Sequence, residues 1–174
     1  PNEVAVNALK LLLLTGCRRE EVLQLKWEYV SLESGTIFLP DSKTGARHVQ
    51  LNSAAIELIR GIKRNAGPYV FPGHRDSMKP INNPRKCFTR LLKAAGVKDH
   101  VRIHDIRHST ASLLVANNVS LYTVQKILGH ASSRTTEKYS HLSNELLRSA
   151  SECVADIVKP FVSGGIDQAE NIAA

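Results

Sequence analysis

Long apolar runs are missing from this chain. The nearest approach, Leu11 to Leu14, is cut off on its N-terminal side by Lys10, whereas a helix needs roughly 20 apolar residues to cross a bilayer. No membrane span is expected, and no secretory signal is visible. Cysteine is scarce, with Cys17, Cys87 and Cys153 far apart. An odd, scattered set with no Cys-x-x-Cys excludes a disulfide framework and fits reduced thiols in a cytoplasm. Nothing resembles a Walker loop or a carboxylate pair for two-metal chemistry, so neither nucleotide nor metal is expected as a cofactor. Acidic residues are outnumbered, 16 Asp and Glu against 23 Lys and Arg.

What is present is a basic body with an acidic end. Residues 1–148 hold 22 Lys and Arg against 12 Asp and Glu, while residues 149–174 hold one Lys and four acids. A polyanionic partner suits that balance. The 174 residues suit one domain with a proper core, 43% hydrophobic and 22% charged, burying roughly two-thirds of its unfolded surface. Residues 1–160 are expected to form that domain and 161–174, which follow Pro160, a flexible tail. Pro1 is not a natural start, so a preceding segment is expected.

Periodicity gives the elements. Val4, Ala8, Leu11 and Leu12 form a helical stripe over residues 3–14, ended by Thr15-Gly16. A second helix is expected from Arg19 to about Trp27, with Val22, Leu23 and Leu25 inward. Residues 36–39 and 48–51 read as antiparallel strands around the Asp-Ser-Lys-Thr-Gly-Ala turn. Ser53 caps a helix to about Asn65, and another starts at Asn82-Asn83-Pro84 and runs to Gly96. Residues 104–117 form a helix with Ile106, Thr110, Leu113 and Leu114 on one face. A short helix runs from Ser120 to Leu128-Gly129, one opens at Ser133, and the last spans Leu142 to Val158. The expected fold class is mainly α with a small antiparallel β-sheet (α+β).

Three pieces carry chemistry: Thr15-Gly-Cys-Arg18, His104-Asp-Ile-Arg107-His108, and Leu128-Gly-His130 followed nine residues later by Tyr139. Arginine offers a permanently charged fork matched to phosphate oxygens. Histidine donates to an oxygen or moves a proton near neutral pH. A tyrosine hydroxyl becomes a nucleophile once such groups surround it. Together they suit attack on a phosphodiester without metal. His104 and His108 share a helix face as a metal pair would, but the metalloprotease Glu is absent and Arg107 would repel a cation. His108 is better read as a core or supporting histidine. Glu21, three residues beyond Arg18, is within reach to orient its guanidinium. Tyr29, Tyr69 and Tyr122 read as packing tyrosines. Lys43 lies at the hairpin turn. Lys-Thr-Gly there also occurs in a β-lactamase signature, but the companion Ser-x-x-Lys is missing.

Taken in order, an early Thr-Gly-x-Arg, a hairpin Lys, His-x-x-Arg-His, Leu-Gly-His and then Tyr within Thr-x-x-Tyr-x-His, these motifs resemble the catalytic domain of the tyrosine recombinases, the phage-integrase family. The likeness covers about residues 3–150. It implies the family's catalytic-domain fold and Tyr139 as the nucleophile leaving a 3′-phosphotyrosyl enzyme. It also implies Arg18, Arg107 and His130 on the non-bridging oxygens and Lys43 as general acid. The high pKa of a free phenol, about 10, calls for a base or cationic surroundings and makes His104 the candidate base. The family pattern selects Arg18 over its neighbour Arg19. The resemblance further implies double-stranded DNA as partner, a tetramer on DNA from monomers when free, and a DNA-binding domain preceding this segment. The implied function is site-specific recombination in a bacterial cytoplasm, at the nucleoid, with a mobile-element integrase favoured. A type IB topoisomerase-like DNA relaxing enzyme and a non-catalytic DNA-binding relative are the alternatives.

Overall fold

The computed structural model describes residues 2–42 and 45–129. Lys43, His130, Tyr139, the helices expected from Ser133 and Leu142, and the tail lie outside the described residues.

The first helix, α1 (Glu3–Thr15), starts at Asn2, whose side chain accepts from the Ala5 N–H at 3.3 Å, and ends at Gly16 with φ +62°. Helix α2 (Arg19–Leu23) is shorter than its apolar pattern suggests. The cause is tertiary. Leu25 C=O accepts from Val70 N–H and Trp27 N–H donates to Pro68 C=O, both at 2.9 Å. Lys26 bridges Tyr69. Backbone groups that would continue the helix are satisfied across the molecule instead.

A 3-10 turn, Trp27–Tyr29, leads into β1 (Val30–Ser31), a strand too short to read from alternation. It pairs with β2 (Thr36–Leu39), which pairs with β3 (Arg47–Gln50), all antiparallel. The register sets Ile37 opposite Val49 and Leu39 opposite Arg47. Ile37, Leu39 and Val49 are buried.

Helix α3 (Ser53–Arg60) is capped by Asn52 rather than Ser53. Asn52 Oδ1 accepts from Ala55 N–H and its Nδ2 donates to Leu14 C=O, both at 2.9 Å, fastening α3 to the end of α1. Gly61 ends α3 well before Asn65. Helix α4 (Arg85–Ala94) follows Pro84 as expected. Helix α5 (Asp105–Ala116) keeps Ile106, Thr110 and Leu114 of the expected face inward but not Leu113. Arg107, Thr110, Ala111 and Val115 are buried, while Leu113 is 58% exposed. The Thr110 hydroxyl donates to Leu13 C=O at 3.0 Å, so packing on α1 decides the rotation. Helix α6 (Leu121–Leu128) has the expected Ser120 cap and ends at Gly129 with φ +66°.

Two apolar clusters result. The larger joins α1, α2, the sheet and α3 around Leu11, Leu23, Ile37, Ile59 and Phe71. The smaller joins α5 to α6 through Ala111, Val115, Val124 and Leu128. Cys17 and Cys87 are free and buried. Among the described residues no helix is long and apolar enough to cross a membrane.

Candidate active site

The site begins at the turn after α1. Gly16 is required there twice over. Its φ is positive, and a Cβ would lie 2.5 Å from Leu128 Cδ2 and 3.2 Å from Thr110 Cγ2. The Thr15 hydroxyl donates to Leu11 C=O at 2.7 Å and accepts from Cys17 N–H at 3.3 Å, holding the turn. The chain then places Arg18 at the N-terminus of α2.

Arg18 is engaged on several sides. Its backbone N–H donates to Glu21 Oε2 and its Nη1 to Glu21 Oε1, both at 2.8 Å. Nη1 also reaches Ser42 Oγ at 3.2 Å, and Nη2 donates to Gly129 C=O at 3.1 Å. Glu21 therefore orients the guanidinium, as its spacing suggests. Burial by itself would push the Glu21 carboxyl up. The Arg18 N–H and guanidinium, the Arg47 charge and the Ser42 hydroxyl outweigh it and hold the group below its ordinary range. Arg19, by contrast, is exposed and paired with Glu20 on the surface. The Cys17 thiol is pushed up by burial, which keeps it protonated and a poor nucleophile.

Arg107 enters from α5. It is only 7% exposed. Nη1 donates to Gly16 C=O at 2.7 Å and Nη2 to Leu128 C=O at 2.8 Å. Burial, with the nearby Arg18 charge adding to it, draws its pKa down to about 10. It stays charged at neutral pH, yet the two cations repel, and a bound anion would relieve both. The two arginines thus donate to consecutive carbonyls, Leu128 and Gly129, immediately before His130. Thr-Gly-Cys-Arg, His-Asp-Ile-Arg and Leu-Gly meet at one point.

His104 sits apart from Arg107 in burial. It is the N-cap of α5, exposed, with its ring edge-on to His108 at 5.1 Å between centroids. Partial burial, His108 and the Arg107 charge all lower its pKa, favouring a neutral imidazole able to accept a proton. His108 is exposed on α5 rather than in the core. A groove of about 1450 Å³ runs from Arg18 and Glu21 past Asp41 to His104, with Lys26, Arg85 and Arg102 among its basic edges.

The motif reading missed two participants. The Ser42 hydroxyl, one residue before Lys43, donates to Glu21 Oε1 at 2.8 Å. Arg47 donates to Glu21 Oε2 at 3.0 Å. Strand alternation carried the signal for Arg47. With Val49 and Leu51 inward, position 47 shares their face, and an arginine there needs a buried partner.

The model of the phage integrase family matches residues 3–145. The chain belongs to the phage integrase family. Among curated relatives, this phage integrase is 30% identical over 138 residues to tyrosine recombinase XerC of Xanthomonas campestris pv. campestris, covering 77% of the chain and 43% of the relative. It is 30% identical over 150 residues to tyrosine recombinase XerD of Rhizobium meliloti, covering 80% and 47%. The chain spans about half the length of the curated relatives it matches. Among solved structures, XerH site-specific recombinase bound to palindromic difH substrate, in a post-cleavage complex, superposes with TM-score 0.69 at 30% identity. That match covers 87% of this chain and 46% of XerH. The mainly helical fold with its small three-stranded sheet is the family's catalytic-domain fold.

Proposed function

We propose that this chain is the catalytic part of a site-specific DNA recombinase that cuts and rejoins duplex DNA through a 3′-phosphotyrosyl intermediate. The observation that carries the reading is the convergence of Arg18 and Arg107 on the carbonyls of Gly129 and Leu128, directly before His130. Two guanidiniums fixed by buried partners are preorganised for a phosphate, and such donors act where charge develops in the transition state. The likeness to XerH, solved on a DNA substrate, supports duplex DNA as the partner.

Tyr139 attacks the scissile phosphorus in line. The phenol proton passes to a base, assigned to His104, whose lowered pKa suits the task. Arg18, Arg107 and His130 hold the non-bridging oxygens. Lys43 protonates the departing 5′ oxygen. The P–O bond to the 5′ carbon's oxygen breaks as the P–O bond to tyrosine forms, so the phosphodiester's energy is kept. A second 5′ hydroxyl then displaces the tyrosine, with four protomers gathered on DNA from free monomers. No step draws on a metal or nucleotide.

The test is denaturant-resistant capture of end-labelled duplex fragments by the protein, with Tyr139→Phe beside the parent. The variant is expected to lose the adduct and keep DNA affinity within about twofold, because one hydroxyl leaves the phosphate clamp intact. An adduct formed equally by Tyr139→Phe overturns the assignment of the nucleophile.

A further inference from the structure

A third arginine lies inside the site. Arg47 opens β3, and its side chain is 13% exposed. It points at the C-terminal end of α6. Nη2 donates to Glu21 Oε2 at 3.0 Å and lies 3.9 Å from Cys17 Sγ, while Nη1 donates to Ile127 C=O at 3.3 Å. A Cβ on Gly129 would stand 2.7 Å from Arg47 Cζ and Nε, so the guanidinium lies against the Gly129 backbone and would have to move to admit a side chain there. Nε is buried and finds no hydrogen-bond partner among the described residues.

We propose that Arg47 is a positioning residue, which acts through Glu21 on Arg18 and through the end of α6 on the segment entering His130. The inference rests on the recombinase reading given above. Its physical content is a shared carboxylate. Glu21 gives one oxygen to Arg18 and the other to Arg47. Neither guanidinium can shift without changing what the other feels. Arg47 also belongs to the hairpin, so the strand leading from the Lys43 turn, helix α2 and the end of α6 are held by one planar fork. Lysine cannot copy this, because an ammonium cannot span a carboxylate and a carbonyl in one plane.

The experiment compares Arg47→Met, Arg47→Lys and Glu21→Gln, singly and as Arg47→Met with Glu21→Gln. Single-turnover adduct formation at saturating DNA is read together with DNA affinity. Arg47→Met is expected to slow adduct formation 10- to 100-fold, on the order of what a small misplacement of reacting groups costs, with affinity nearly unchanged. Arg47→Lys should recover part of the rate by keeping the charge beside Glu21. The double variant should be little slower than the worse single one, since both act through the same carboxylate.

Amide hydrogen exchange at Gly129 supplies a readout independent of activity. It should quicken about tenfold in Arg47→Met if the fork holds that turn. A parent protein that forms no adduct refutes the recombinase reading, and Gly129 exchange still decides the role of Arg47. Unchanged exchange at Gly129 overturns the inference, as does an unchanged adduct rate in Arg47→Met with an active parent. Rates that multiply in the double variant overturn the route through Glu21.

Discussion

The two apolar clusters differ in what they can hold still. The larger is enclosed by three helices and a sheet, and it fixes Arg18, Glu21 and Arg47 from one side. Among the described residues the smaller consists of four buried residues between α5 and α6, and it carries Arg107 and the turn at Gly129. Apolar contact joins them through Ile106 of α5, which packs on the larger cluster, and through Leu128 against the turn at Gly16. Polar bonds cross the same boundary, from Arg107 to Gly16, from Arg18 to Gly129, and from Arg47 to Ile127. The phosphate clamp proposed for this site is therefore also the seam of the domain. Stability and chemistry share the same guanidiniums, so a substitution at the seam should register in both.

The seam breaks most completely at Arg107. Arg107→Met leaves the carbonyls of Gly16 and Leu128 without their charged donor, at a cost of about 3 kcal/mol for two such bonds. Adduct formation should fall by on the order of 10²–10³. Urea unfolding measures the first effect and DNA capture the second. Hydrogen exchange sharpens the comparison, because amides of α5 and α6 should lose protection while those of α1 and β2 keep theirs. Equal loss in both regions would mean that the clusters form one cooperative unit.

Gly16→Ala wedges the same seam without touching a charge. The new Cβ meets Leu128 and Thr110 at a residue with positive φ. A penalty of about 2 kcal/mol is expected from strain and crowding together, read as a lower urea midpoint. A neutral result would show that α6 can retreat from α1 freely.

The smallest effect concerns acid. Glu21 has a lowered carboxyl pKa in the folded state. Its contribution to stability is complete above its ordinary value of 4.5 and disappears as pH falls through the lowered folded value. The stability gap between the parent and Glu21→Gln should therefore be constant near neutrality and narrow below pH 4.5. A gap that stays constant through that range would mean that Glu21 titrates as it does when unfolded.

Local signals made much of this legible in advance. The Gly16 and Gly129 turns and the Ser120 cap were readable because helix ends are set by a few adjacent residues. Arg18, Glu21 and Arg107 were readable because the motifs stand at fixed spacing. The end of α2 was not, since Leu25 and Trp27 find their backbone partners at Val70 and Pro68, far along the chain. Nor was the division of α5, where the apolar stripe put Leu113 inward and the packing of Thr110 on α1 put it outward.

The sequence by itself determined the family, the order of the elements and the candidates for the reacting groups, because these depend on residue type and short spacing. Tertiary structure decided which charges are buried and with whom. Arg107 lies beneath the surface while His104, three residues before it, remains at the groove. Arg47, silent as a motif, shares Glu21 with Arg18. A buried charge is tolerated only where distant segments bring it a partner, and that meeting is a property of the folded chain.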